Sequence, residues 1–267
     1  MIAQAEAALS RIVGKVTMLK AANGAGKAYE LFVLSGIALA LKNGGYEVWL
    51  ERADESKILA SDTDRKFIQR GGAPSGIPSK FAGVRNGSYV VFRASHEAEE
   101  WEIWNGIQFE GRSGGKHEID IAIIPRQTGA ALRSLAAGGI PIGRPRVSIE
   151  CKDVSLPGSV DETRAFVARL YDLAVLKGHL PHMPGSFSQA AISPGIASHP
   201  DLICAKHFKH ENDRTFNALV RRSGFASGTV PLVRYYHVKP YDAVLARTAN
   251  AKALFDAVCN WCRVRKL

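Results

Sequence analysis

Two short apolar runs, each carrying a carboxylate in mid-strand, constrain this chain most: Glu118-Ile-Asp-Ile-Ala-Ile-Ile124 and Arg146-Val-Ser-Ile-Glu-Cys-Lys152. Both are rich in β-branched residues and bounded by turn residues, the mark of buried strands rather than helix. Alternation predicts Glu118, Asp120 and Ala122 on one face and Ile119, Ile121 and Ile123 on the other. In the second run Ser148, Glu150 and Lys152 fall together, opposite Val147, Ile149 and Cys151. Carboxylates inside a core strand are costly unless they are paired or bind a cation. If the strands are neighbours, Asp120 and Glu150 converge, with Lys152 about 7 Å further along its strand. Two carboxylates and a strand carbonyl form an all-oxygen set that suits a hard cation such as Mg²⁺. The same residues can equally be solvated edge charges closed by a salt bridge, and spacing alone leaves both readings open.

Asp120, followed by Glu150-Cys151-Lys152 at the end of the next core strand, resembles the PD-(D/E)XK nuclease superfamily, which includes restriction endonucleases and Holliday-junction resolvases. The resemblance covers roughly residues 27 to 177. It implies an α/β fold with a restriction-endonuclease-like αβββαβ core, a mixed sheet flanked by helices. It also implies one more acid from a helix ahead of the first strand, which here is Glu30, before the strand-like Tyr46-Glu-Val-Trp-Leu-Glu51. On this reading Asp120, Glu150 and the main-chain carbonyl of Cys151 hold Mg²⁺, for which Mn²⁺ can substitute. Glu30 supports a second ion or orients a water, and Lys152 positions the attacking water. Two departures stand out. Ile119 replaces the proline of the family's name, and the 30-residue step from Asp120 to Glu150 implies an insertion between the strands.

A formal net charge of +10 favours a polyanionic partner. From Asp201 to Leu267 twelve Lys and Arg face five Asp and Glu, so the excess concentrates in the last quarter. Candidate nucleic-acid contacts are Arg112 and Lys116 in the turn before the Asp120 strand, Arg144 and Arg146 beside the insertion, and Lys206, Lys209, Arg221 and Arg222 in the basic C-terminal portion. Arg126 and Arg133 flank the same insertion. The resemblance implies double-stranded DNA as substrate, in restriction, defence or repair. It leaves room for a homodimer that cuts both strands and for an activating protein partner. The competing expectation is a nucleic-acid-binding protein on a nuclease-like fold that does not cut, its acids serving as structural ion-pair partners.

With 267 residues and 46% hydrophobic side chains, the chain can bury a full core as one α/β domain, about 27–205, with a basic C-terminal portion, about 206–267. A helix is expected over 27–42, ended by Asn43-Gly44-Gly45, with strands at 88–93 and 101–111 and a crossover helix from Val160. Further on, a strand is expected over Asp201–Ala205, a basic helix over about Asn212–Arg222, a strand over Val230–Val238 and a helix over Tyr241–Arg263. No apolar run reaches membrane-spanning length and no secretory signal is evident, so an intracellular, cytoplasmic protein is expected. Four cysteines fit a reducing compartment. Cys259-Asn-Trp-Cys262 has the spacing of half a zinc site that Cys204 and His207 could complete, against free thiols on a helix. Asn23-Gly-Ala-Gly-Lys27 fails as a phosphate loop, because Ala21 and Ala28 stand where a glycine and a hydroxyl are required.

Overall fold

The structure, a computed structural model, describes residues 1–19, 25–69, 75–83, 86–95, 97–111, 113–174 and 214–267. Its elements in chain order are α1 (Ile2–Val13), β1 (Thr17–Leu19), α2 (Ala25–Asn43), β2 (Tyr46–Arg52), β3 (Lys66–Ile68), β4 (Ser88–Ala94), β5 (Trp101–Glu110), β6 (Lys116–Pro125), α3 (Arg126–Arg133), β7 (Val147–Lys152), α4 (Val160–Ala174), β8 (Phe216–Arg221), α5 (Thr229–Tyr235), β9 (Lys239–Tyr241) and α6 (Ala249–Arg265). Seven strands form one open, mixed sheet in the order β2-β4-β5-β6-β7-β8-β9, while β1 and β3 make a separate parallel pair. Pairing is antiparallel from β2 to β7 and parallel from β7 to β9. The fold is therefore α/β, with helices on both faces of the sheet.

Each face of the sheet has its own core. On one, Leu31, Leu34, Ile37 and Leu41 of α2 pack with Leu254 and Val258 of α6 over Ile121, Ile123, Val147, Ile149 and Cys151. On the other, Phe166, Leu170 and Leu173 of α4 cover Trp104, Ile107, Ile119, Ala122 and Leu219. Burying one such side chain stabilises the fold by about 1.5–3 kcal/mol. At Gly36 a Cβ would stand 2.2 Å from the Phe255 ring, so only glycine lets α2 and α6 approach so closely. The last quarter of the chain is integral to this architecture, since β8 and β9 lie in the main sheet and α6 packs on α2.

Alternation holds along β7 but not along β5 and β6. Ile121 and Ile123 face α2 as expected, whereas Ile119 joins Ala122 and Ile124 on the α4 side. In β5, Trp101 and Ile103 face α2 while Ile107 and Phe109 face α4. Both strands change face at one rung, the position where Gly106 stands opposite Asp120 between the Asn105↔Ile121 and Ile107↔Ile119 pairs. Gly106 has φ +60°, the left-handed region that admits glycine at little cost and re-aims the strand.

Two expected elements are exchanged near the C-terminus. Residues 212–222, expected as a helix, contain β8, whose six residues are all buried. A strand buried on both faces shows no polar alternation, and its apolar run mimics a buried helix. Residues Val230–Val238, expected as a strand, form α5 followed only later by β9. Pro231 lies in the first turn of α5, where its missing N–H costs no helical hydrogen bond. The helix expected from Tyr241 begins at Ala249, where the Thr248 side chain accepts the Ala251 N–H as its cap. The expected strand at 201–205 lies outside the described residues.

Candidate functional site

The β6–β7 ladder pairs Ile123 with Val147, Ala122 with Ser148 and Ile121 with Ile149. One rung further Asp120 falls opposite Glu150, and there the regular ladder ends. The Cys151 N–H donates instead to Asp120 Oδ2 at 2.7 Å. Strand amides point along the plane of the sheet, so the Asp120 carboxylate lies in the gap between the two strands. The Lys152 carbonyl accepts the Arg222 N–H on the β8 side at 3.1 Å. Because N–H and C=O of a strand residue share a direction and successive residues alternate, the Cys151 carbonyl faces β6 and the same gap.

Glu150 rises from this gap toward α4 and is only 2% exposed. Its Oε1 meets two cations, Lys152 Nζ at 2.5 Å and Arg169 Nη2 at 2.7 Å. Arg169 also donates to the Glu118 carbonyl at 3.1 Å, which ties β6 to β7 through α4. Glu150 Oε2 is enclosed and has no hydrogen-bond partner among the described residues. Burial, then the charges of Glu150 and Glu30, push the Asp120 carboxyl well above its ordinary range. Burial works against the Lys152 ammonium, but the Glu150 carboxylate outweighs it and the net shift is upward. Lys152 is thus held as a cation, which suits charge stabilisation better than proton abstraction.

On the α2 side, Glu30 is buried against Lys27, whose Nζ lies 3.1 and 2.9 Å from its two oxygens, and accepts Asn105 Nδ2 at 2.6 Å. Burial raises its pKa, with Lys27 opposing. Asp120, Glu150 and Lys152 thus lie around the end of the β6–β7 ladder. Glu30 joins them from the opposite face, already engaged by an ammonium and an amide. Among the described residues no three His, Cys, Asp or Glu side chains group closely enough to hold an ion. A cation would accordingly rest on the Asp120 and Glu150 carboxylates and the Cys151 carbonyl. The bare, buried Glu150 Oε2 is the observation that fits this all-oxygen set.

The expected nucleic-acid contacts separate into three groups. Lys116 and Arg146 are exposed, Arg144 is half-buried, and Arg222 is exposed while pairing with Asp153 at 3.2 Å. Arg221 does not belong with them. It is fully buried, paired with Glu162, and donates to the Leu156 carbonyl at 2.6 Å. Arg126 and Arg133 are likewise turned inward, onto Glu51 and Glu102. Arg112, Lys206 and Lys209 lie outside the described residues, as do Cys204 and His207. Cys259 and Cys262 are buried free thiols of α6, and burial raises the pKa of each.

Sequence reasoning missed Lys27, Gln69, Asn105 and Glu118. Lys27 is the last residue of a failed phosphate-loop pattern, and Glu118 is two residues from Asp120, which were the available signals. Arg169, with Arg164, reads in sequence as a candidate contact of the crossover helix or as an ordinary surface charge, and its hold on Glu150 has no local signal. A cavity of about 750 Å³ between α1, α2 and α6 shares no residue with this site. Among the described residues no helix is long and apolar enough to cross a membrane. Searches of family models, of curated proteins and of solved structures each found no match to the chain.

The raised Asp120 pKa has a definite sign in stability. A carboxyl that holds its proton more tightly when folded stabilises the protein at low pH. That contribution is lost as pH rises from about 4 through the raised value. Cation binding needs the ionised form and runs the other way. Thermal melts with and without Mn²⁺ are expected to show a larger metal-induced rise at about pH 8 than at about pH 5. Equal rises at both would exclude Asp120 as the titrating ligand.

Proposed function

We propose that this protein is a metal-dependent nuclease that hydrolyses phosphodiester bonds, with DNA as its substrate. The observation that carries the proposal is Glu150, whose one oxygen is held by Lys152 and Arg169 while the other is buried and has no hydrogen-bond partner among the described residues, at the end of the ladder where Asp120 accepts the Cys151 N–H. The succession α2, β5, β6, β7, α4, β8 supports the αβββαβ reading of the PD-(D/E)XK resemblance, with β2 and β4 as further strands on one side.

Asp120 and Glu150 would hold Mg²⁺ or Mn²⁺, with the Cys151 carbonyl as third oxygen. Such an ion, when bound, lowers the pKa of a coordinated water and neutralises charge on a phosphate. Lys152, kept protonated by Glu150, offsets the charge that grows on the scissile phosphate and orients the incoming water. Arg169 holds the Glu150 carboxylate in place through Oε1. Exposed Lys116, Arg146 and Arg222 supply contacts to backbone phosphates, a term that is largely independent of sequence and weakens with salt.

Plasmid and linear DNA incubated with the purified protein and Mg²⁺, Mn²⁺ or chelator test this reading. Wild type is expected to cut only with metal, and Asp120→Ala and Lys152→Ala each to lose about 10²–10³-fold or more. A second reading draws on the salt bridges themselves. A Glu150 charge balanced by Lys152 and Arg169 through Oε1 is also what a non-catalytic DNA-binding protein on this framework would need. That reading prevails if wild type leaves DNA intact with every metal and retards it as tightly as both variants do, with or without chelator.

A further inference from the structure

Lys27 stands in the first turn of α2, and its ammonium touches three carboxylate oxygens: Glu30 Oε1 at 3.1 Å, Glu30 Oε2 at 2.9 Å and Glu118 Oε1 at 3.2 Å. The surroundings are fixed by a buried polar network. Gln69 Nε2 donates to the Lys27 carbonyl and to Asn105 Oδ1, both at 2.8 Å. Asn105 Nδ2 in turn donates to Glu30 Oε2 at 2.6 Å and to the Asp120 carbonyl at 3.1 Å. Gly106 leaves room for the cluster, since a Cβ there would stand 3.2 Å from Glu118 Oε1 and 3.4 Å from Lys27 Nζ. The network thus runs unbroken from the start of α2 to the backbone of Asp120.

Two carboxylates converging from a helix and a strand on one side of the Asp120 rung repel each other unless a cation lies between them. An ammonium is a compact charge with three donors and no acceptor, and here its donors face three oxygens. We infer that the Lys27 ammonium occupies the position a second divalent cation would take between Glu30 and Glu118, making this a one-ion site whose ion belongs with Asp120 and Glu150. The inference rests on the metal-dependent reading proposed above. It replaces the expectation that Glu30 supports a second metal, and it makes Lys27 a positioning residue that keeps both Glu30 oxygens engaged.

Mn²⁺ titration of the intact chain, with free ion followed by electron paramagnetic resonance, counts bound ions without any turnover. Wild type is expected to bind one ion per chain. Lys27→Met removes the ammonium and leaves the three oxygens, so it is expected to bind two, and Lys27→Met/Glu30→Gln to return to one. Two ions on wild type overturn the inference by themselves, whatever the variants do. It is equally overturned by a Lys27→Met protein that is folded by circular dichroism and still binds one, which leaves the metal-dependent reading intact. No ion on wild type fells that reading and this inference together. Should Lys27→Met fail to fold, Lys27→Gln carries the same measurement.

Discussion

Glu150→Gln is expected to abolish divalent-cation binding and to lower DNA cleavage by about 10²–10³-fold. Glutamine keeps the shape of the side chain, and its carbonyl oxygen is the atom that can still face Lys152 and Arg169 at the Oε1 position. The amide NH₂ then falls where the enclosed Oε2 now sits, and presents donors where a cation needs a lone pair. Lys152 and Arg169 lose an anionic partner, but both side chains keep some contact with solvent, so the loss of stability stays small beside the loss of function. Calorimetric Mn²⁺ titration, cleavage and thermal melting on one preparation separate these effects. A Gln variant that binds Mn²⁺ like wild type would remove Glu150 from the cation site.

Arg133→Ala is expected to destabilise the fold by about 3–5 kcal/mol, the largest effect of any single change argued for this protein. Arg133 and Glu102 are both 0% exposed, and they meet through two parallel bonds at 2.8 and 2.6 Å. Glu102 also accepts the Trp104 indole N–H at 2.7 Å, while the guanidinium reaches Glu55 and lies 4.7 Å over the Tyr89 ring. Burial already raises the Glu102 pKa, and without Arg133 the carboxylate would be a buried, poorly compensated charge. The double variant Arg133→Met/Glu102→Leu removes both charges and is expected to recover most of the loss. Urea unfolding of wild type, single and double variants checks this. A double variant as unstable as the single one would mean that packing of the guanidinium, not the orphaned carboxylate, sets the cost.

That ion pair also shows where sequence reading stops. Arg133 follows Arg126 beside an insertion and reads as one of several basic contacts, because partners 31 residues apart in sequence leave no local trace. Asp120 and Glu150, by contrast, announce themselves. Each interrupts a β-branched strand, and the antiparallel pairing of those strands is the simplest arrangement of adjacent runs. The faces of β7 follow from alternation alone, whereas those of β5 and β6 do not, since the change of face depends on the left-handed backbone at Gly106. β8 and α5 were exchanged because local composition cannot distinguish a doubly buried strand from a buried helix, and burial there is decided by β7 and α4. Lys27, Asn105 and Gln69 come from three separate stretches, and only the folded sheet assembles them.

On the proposed nuclease reading, the end of the β6–β7 ladder bears on how a complex of this protein with intact DNA should be trapped. The usual choice would be to delete a metal-binding acid, yet the Asp120 carboxylate also serves as the acceptor that closes the β6–β7 ladder, holding the Cys151 amide. Removing it leaves that amide in search of water and loosens the strand that carries Glu150. The Lys152 side chain instead pairs with Glu150 Oε1, which Arg169 also holds. Without it Arg169 still anchors Glu150 Oε1, and the proposed cation ligands keep their places. The variant best suited to co-crystallisation with DNA under the proposed mechanism is therefore made at the lysine, with the carboxylates left in place.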